Sequence, residues 1–230
     1  MKKTSTAIAL AMLALGATGA QAAAGDILVR VRAIMVAPNE KNSAITVAGA
    51  PYAPLAGAKL SVNDDVVPEI DFTYMFTNNI GAELIAATSL HKVSLGALPI
   101  ASTYALPPTL TLQYHFNPEG GIRPYVGAGI NYTFFYQTKT KTAFRDFFDG
   151  ALSVPTTNAV SSKVRDSFGW AAQAGVDIDL TKKFFLNLDV KYISMKAKYS
   201  AVSAGAPGAP LRTNVDLNPL VIGVGFGTRF

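Results

Sequence analysis

The 230-residue chain has no cysteine, a single tryptophan and only two histidines. Without cysteine there is no disulfide framework, no thiolate nucleophile and no cysteine-ligated metal. The histidines, His91 and His115, fall at opposite ends of neighbouring strands in the reading below, so neither a metal site nor a Ser-His-Asp constellation is expected. Charge is also sparse: charged residues make up 15% of the chain, and Lys and Arg form no cluster that would hold a nucleic acid. Long apolar runs are missing too. The longest, Ala7 to Ala17, falls short of the ~20 residues that a membrane-spanning helix requires. Lys2 and Lys3 precede that run and Ala20-Gln21-Ala22 supplies a small-x-small cleavage pattern, so residues 1–22 are expected to be a secretory signal peptide. Its removal takes Lys and Arg from 20 to 18 against 15 acids. The remaining residues, 23–230, suit one domain.

What the chain does have is alternation. The last segment, Leu220 to Phe230, sets Leu220, Ile222, Val224, Phe226 and Phe230 on one parity and Gly223, Gly225, Gly227 and Arg229 on the other. A period of two with glycines and an arginine on one side and bulky apolar groups on the other fits a strand with lipid outside and a crowded lumen inside. Its terminal Phe230 resembles the C-terminal signal that barrel-assembly machinery recognises. Seven further segments alternate in the same way, near 27–37, 67–77, 80–91, 109–116, 126–136, 167–178 and 184–192. Eight is an even count, as single-chain bacterial barrels have. The links then alternate in length. Turns near 77–79, 117–121 and 180–183 are short, whereas those near 39–66, 92–107, 139–164 and 199–212 are long and rich in Ala, Pro, Ser and Thr. The expected fold is therefore all-β, an eight-stranded antiparallel transmembrane β-barrel of the outer-membrane type, with long extracellular loops and periplasmic termini. A lipocalin-like soluble barrel would keep its apolar parity inside, opposite to the arrangement here.

Several blocks carry a family likeness: Asp64 to Tyr74 (DDVVPEIDFTY), Asn79 to Leu84 (NIGAEL), Leu106 to Leu110 (LPPTL), Arg123 to Thr133 (RPYVGAGINYT) and Ala174 to Asp177 (AGVD). In that order and spacing the chain resembles the OmpW family of small outer-membrane proteins. The resemblance implies an eight-stranded barrel with a largely hydrophobic interior channel, uptake of small hydrophobic molecules, and stress and surface roles. Lys191 departs from the pattern, an aromatic residue being expected there.

Sorting the inward parity by height gives two zones. Arg30, Arg32, Asp71, Glu83, His115, Asp177, Asp189 and Lys191 fall in the lower and middle lumen, with Arg229 below, and are expected to pair into a charged floor. Ile34, Val36, Val67, Phe135, Ile193, Met195, Leu217 and Val221 fall above and are expected to form an apolar funnel. Because an eight-stranded barrel is barely wide enough for its own side chains, such a floor closes it to bulk water. Pro38, Pro68, Pro108 and Pro219 lie near the upper strand ends, where a missing N–H weakens the wall, and are candidates for a lateral exit. Between Thr142 and Leu152, Phe144, Phe147, Phe148 and Ala151 have helical spacing and fit either a lid or a surface anchor.

The leading expectation is an outer-membrane barrel that takes up small hydrophobic solutes through the funnel. The alternative is a structural or surface-interaction barrel. No enzyme, cofactor or metal is expected, and Gly223-x-Gly225-x-Gly227 is set aside as a nucleotide loop because no helix follows it. Expected partners are outer-membrane lipid, small hydrophobic solutes and the barrel-assembly machinery.

Overall fold

In the computed structural model, eight long strands follow from the alternation: β1 (Ile27–Ala37), β2 (Asp65–Met75), β3 (Ile80–Ala87), β4 (Thr109–His115), β5 (Ile122–Thr140), β6 (Ser167–Asp179), β7 (Phe184–Ile193) and β8 (Leu220–Arg229). The structure describes residues 23–230 except Ala56. The expected signal peptide lies outside the described residues. Each strand pairs antiparallel with its sequence neighbour, and two pairings close the ring, β1 with β8 from Leu28↔Arg229 to Ala37↔Leu220 and β4 with β5 from His115↔Tyr125 to Thr109↔Asn131. Closure removes every free edge from the barrel wall. Among the described residues no helix is long and apolar enough to cross a membrane.

The three short turns gather at one end with both termini of the barrel. Two use the same device, in which a threonine hydroxyl accepts from the backbone N–H three residues on: Thr77 from Ile80 (2.9 Å) and Thr181 from Phe184 (3.0 Å). At the third turn Asn117 takes a left-handed φ of 51°, a conformation that asparagine tolerates.

The outer face is apolar and open. Leu112 is 59% exposed and Phe226 63%, while Thr111 and Gln113 on either side of Leu112 are buried. Aromatic pairs ring this face. Tyr74 with Phe76 and Tyr114 with Phe116 lie at the short-turn end, and Trp170 with Tyr192 and Tyr132 with Phe134 at the other. Such girdles mark the two interfaces of a membrane-spanning barrel.

At the opposite end the long links expected as loops are largely sheet. Ser89–Leu95 pairs with Leu98–Leu106, which continues along the upper part of β5. Val160–Arg165, Lys196–Ser203 and Leu211–Asp216 form a second sheet, edged by Lys41–Asn42 and Thr46–Val47. The period of two simply runs on past the apolar band, and the inward side chains pack together instead of facing water. A helix, α1 (Thr142–Ala151), sits in this upper part. Phe144 and Phe148 are stacked at 5.6 Å and buried, with Phe144 edge-on to Tyr199. The Lys141 N–H donates to Ile100 O, and Ser203 Oγ to Asp149 Oδ1. The Phe144 and Phe148 side of α1 is thus buried inside the protein, as the lid requires and the surface anchor does not, while Phe147 is exposed.

Two predictions follow from these faces. Leu112→Arg or Val224→Arg should destabilise the barrel by about 2–4 kcal/mol in reversible folding into bilayers, with little effect from Thr111→Ser. Phe148→Ala should cost about 3–5 kcal/mol and expose the upper sheets to protease, whereas Phe147→Ala, on the open side of the helix, should leave the digestion pattern unchanged.

Candidate functional site: an apolar funnel above a charged floor

β1 carries two arginines at successive inward positions, and both are fully buried. Arg30 makes a two-pronged contact with Asp177 of β6, Nη2 to Oδ2 at 2.8 Å and Nε to Oδ1 at 3.1 Å. Its Nη1 donates to Asp71 Oδ1 at 3.0 Å and Thr73 Oγ1 at 2.8 Å, both on β2. One turn of the pleat higher, Arg32 donates through Nε to Glu69 Oε1 at 2.6 Å and through Nη1 to Asn187 Oδ1 at 3.1 Å, and it pairs with Asp71 Oδ2 at 3.0 Å. Glu83 of β3 accepts from Gln173 Nε2 at 2.9 Å and Thr111 Oγ1 at 3.3 Å. Lys191 of β7 lies 3.6 Å from both Glu83 and Asp189. The inward charges of five strands thus meet in one layer.

Other members of the floor come from parities that the sequence reading stopped short of. Tyr125 is 1% exposed. It donates its hydroxyl to Asp189 Oδ2 at 2.8 Å, stacks on His115 at 5.1 Å, and lies under the Arg30 guanidinium at 5.4 Å. Phe185 seals the lower end, with Arg30, Arg123 and Arg229 each between 5.4 and 5.7 Å from its ring centre. Such cation–π contacts strengthen when desolvated. Arg123 and Arg229 share Asp179, the former at 2.7 Å. Extending strand five back by two residues from Gly127 reaches Tyr125 and then Arg123, and stepping back two from Asn187 reaches Phe185. The signal was therefore present in the alternation.

Glycines on facing strands make room for these rings. A Cβ at Gly175 would stand 2.4 Å from the Tyr125 ring, and one at Gly227 would stand 2.3 Å from the Phe185 ring. Small residues in the lumen are what allow large ones to cross it.

Above Arg32 the lumen turns apolar. A cavity of about 80 Å³ is bounded by Ile34 and Val36 of β1, Val67 of β2, Phe135 of β5, Ile193 of β7 and Val221 of β8, with Met195 and Leu217 from the links between β7 and β8. One water needs about 10–15 Å³ by the same measure, so the space suits a few waters or one slender molecule. Lys191 and Glu69 form part of its base, and Tyr199 and Val215 part of its upper wall. One polar patch interrupts the wall. Ser89 Oγ lies 2.8 Å from His91 Nε2, whose Nδ1 faces Asn63 O at 3.2 Å. Burial pushes the His91 imidazole below its ordinary range, outweighing the raising effects of the Asn63 carbonyl and Asp65. Among the described residues no group of acids and histidines is arranged to hold a metal.

Of the four prolines near the upper strand ends, three are bridged. Asn39 N–H beyond Pro38 donates to Leu217 O, Pro108 O accepts from Tyr132 N–H, and Pro219 O accepts from Ile193 N–H. Pro68 differs. β2 pairs with β1 up to Val36↔Asp65, but its ladder with β3 ends at Glu69↔Ala87 and pairing on that side resumes only at Val62↔Val93. In between, side chains substitute for the ladder: Asp65 Oδ2 accepts from Leu90 N–H and Asn63 Oδ1 from Lys92 N–H.

This architecture has known counterparts. The profile of the OmpW family matches residues 23–230. Outer membrane protein W of Vibrio cholerae is 35% identical over 216 residues, covering 90% of this chain and 89% of its own. The crystal structure of the outer membrane protein OprG from Pseudomonas aeruginosa superposes with a TM-score of 0.79 at 31% identity, covering 93% and 98% of the two chains. The solution structure of Escherichia coli outer membrane protein W gives 0.58 at 31%, covering 91% and 100%. With the family profile spanning every described residue and relatives above 30% identity across nearly their whole length, the chain belongs to the OmpW family of outer-membrane proteins.

Proposed function

We propose that this barrel takes up small hydrophobic molecules through the funnel and releases them sideways into the membrane. The observation that carries the proposal is the change of lining along one lumen: an apolar cavity ends abruptly on a layer of ion pairs. Transfer from water into such a cavity gains about 25 cal/mol per Å² of apolar surface covered, while the layer below offers an apolar solute nothing in return for breaking its salt bridges. The interrupted ladder at Pro68 supplies the way out, since Val67 beside it lines the cavity and the wall there is held by the side chains of Asp65 and Asn63 in place of a continuous backbone ladder. In this reading the long-connection end faces outside the cell and the termini lie in the periplasm, as the short turns of outer-membrane barrels do. Phe230, 76% exposed at the end of β8, is then placed for recognition by the assembly machinery. A purely structural or surface-interaction barrel would have no use for an apolar cavity inside its wall.

Two measurements test this division of labour. Exchanging Arg32, Asp71 and Glu83 together for serine should raise the otherwise small ion conductance in planar bilayers several-fold, by removing both the pairing and its bulk. Ile193→Asn or Leu217→Asn should slow hydrophobic uptake into vesicles while leaving ion conductance where it was. Joint loss of current and uptake in both sets would mean one continuous pore and would rule out lateral release.

A further inference from the structure

One cation in the lumen is not hydrogen-bonded like the others. Arg30 and Arg32 each bond several acceptors at 2.6 to 3.1 Å. Lys191, 1% exposed, lies 3.6 Å from Glu83 Oε2 and 3.6 Å from Asp189 Oδ1, beyond hydrogen-bond length, and Nζ has no hydrogen-bond acceptor among the described residues. The two carboxylates hold the charge in place but leave the three ammonium donors uncommitted. Lys191 is also part of the base of the apolar cavity, directly beneath Ile193 on the same face of β7. A lysine stem of four carbons can swing its ammonium toward that space while its methylenes stay against apolar neighbours.

We infer that Lys191 is the head-group contact of the funnel, and that the solutes held there are apolar chains ending in an uncharged oxygen acceptor, such as a ketone or an ester. The inference rests on the uptake reading and narrows its solute class. An acceptor oxygen at the base of the cavity would give Lys191 the hydrogen bond that Glu83 and Asp189 do not, at the point where the apolar lining ends. Charge decides between a neutral and an anionic head. The layer around Lys191 holds five carboxylates, Glu69, Asp71, Glu83, Asp177 and Asp189, against the three cations Arg30, Arg32 and Lys191. A further anion there would be repelled, whereas a carbonyl adds no net charge. A plain hydrocarbon fits the cavity but leaves the ammonium as it found it.

Three ten-carbon probes separate these cases: decane, decan-2-one and decanoate, each followed into vesicles carrying wild-type protein or Lys191→Met. Decan-2-one uptake should fall on the order of tenfold in the variant, the scale of one hydrogen bond to a charged group. Decane, which has no acceptor, is the reference for each protein, so the ratio of decan-2-one to decane uptake should fall by about that factor. If the two neutral probes keep their wild-type ratio in the variant, the assignment is overturned while the uptake reading stands; if decanoate loses most, the neutral class is wrong. Uptake of no probe above protein-free vesicles would overturn both. Should Lys191→Met fail to fold, wild-type protein decides. The NMR signal of the buried Lys191 side chain should shift further with decan-2-one than with decane, and equal shifts would overturn the assignment.

Discussion

Two guanidinium groups on one strand organise this lumen. Arg30 and Arg32 of β1 reach carboxylates on β2, β3, β6 and β7, so the ties run across the barrel as well as around its wall. Buried ion pairs give little net stability, because desolvation offsets most of the Coulomb gain, but removing one partner costs about 3–5 kcal/mol by stranding the other. The layer is therefore an all-or-none feature. It also requires arginine in particular. The Arg30 fork meets both oxygens of Asp177 while its third nitrogen, Nη1, donates to Asp71 and Thr73, a set of directions that a lysine ammonium cannot supply from one position.

Everything above the layer depends on where it stops. Once the last charge has been matched at the level of Arg32 and Lys191, the next inward positions, Ile34, Ile193 and Val221, have only each other to pack against. They do so across a width that an eight-stranded ring cannot fill completely with aliphatic side chains. The upper sheets lengthen this compartment, and α1 contributes Phe144 and Phe148 to its apolar packing. The polar interruption of this wall, Ser89 with His91, is a pair that satisfies itself.

Much of this was legible in the chain, for a physical reason: in a barrel wall a residue's parity fixes its face and its position along the strand fixes its height. Alternation places β1 near 27–37, where the structure has it, and the residues expected in the floor and the funnel lie on the inward face. The reading fell short in two kinds of place. Strand starts beside turns are hard to locate, so Arg123, Tyr125 and Phe185 were missed although each continues an inward series. The long links read as loops because they are rich in Ala and Pro, which strands disfavour, and in small polar residues that give no apolar alternation. Their pairing, for instance Val160–Arg165 with Lys196–Ser203, is a long-range event that no local pattern announces. Nor could spacing tell on which side of each proline the ladder is kept, as at Pro68, where β2 stays paired with β1 while its pairing with β3 stops at Glu69↔Ala87.

The cross-lumen ties also bear on how the barrel comes into being. β1 is the first strand made and β8 the last, and the ring closes where they meet. Asp71 is on the strand next to β1, so Arg30 can find it early. Asp177 and Asp189 lie on β6 and β7, and these reach β1 only when the sheet has curled almost to completion. An open sheet in the bilayer would hold these carboxylates and guanidinium groups apart, each facing hydrocarbon or stray water. Neutralisation thus arrives with closure itself. The same residues that block the finished lumen penalise every unfinished one, and the zipping of β1 to β8 is the step at which that penalty disappears.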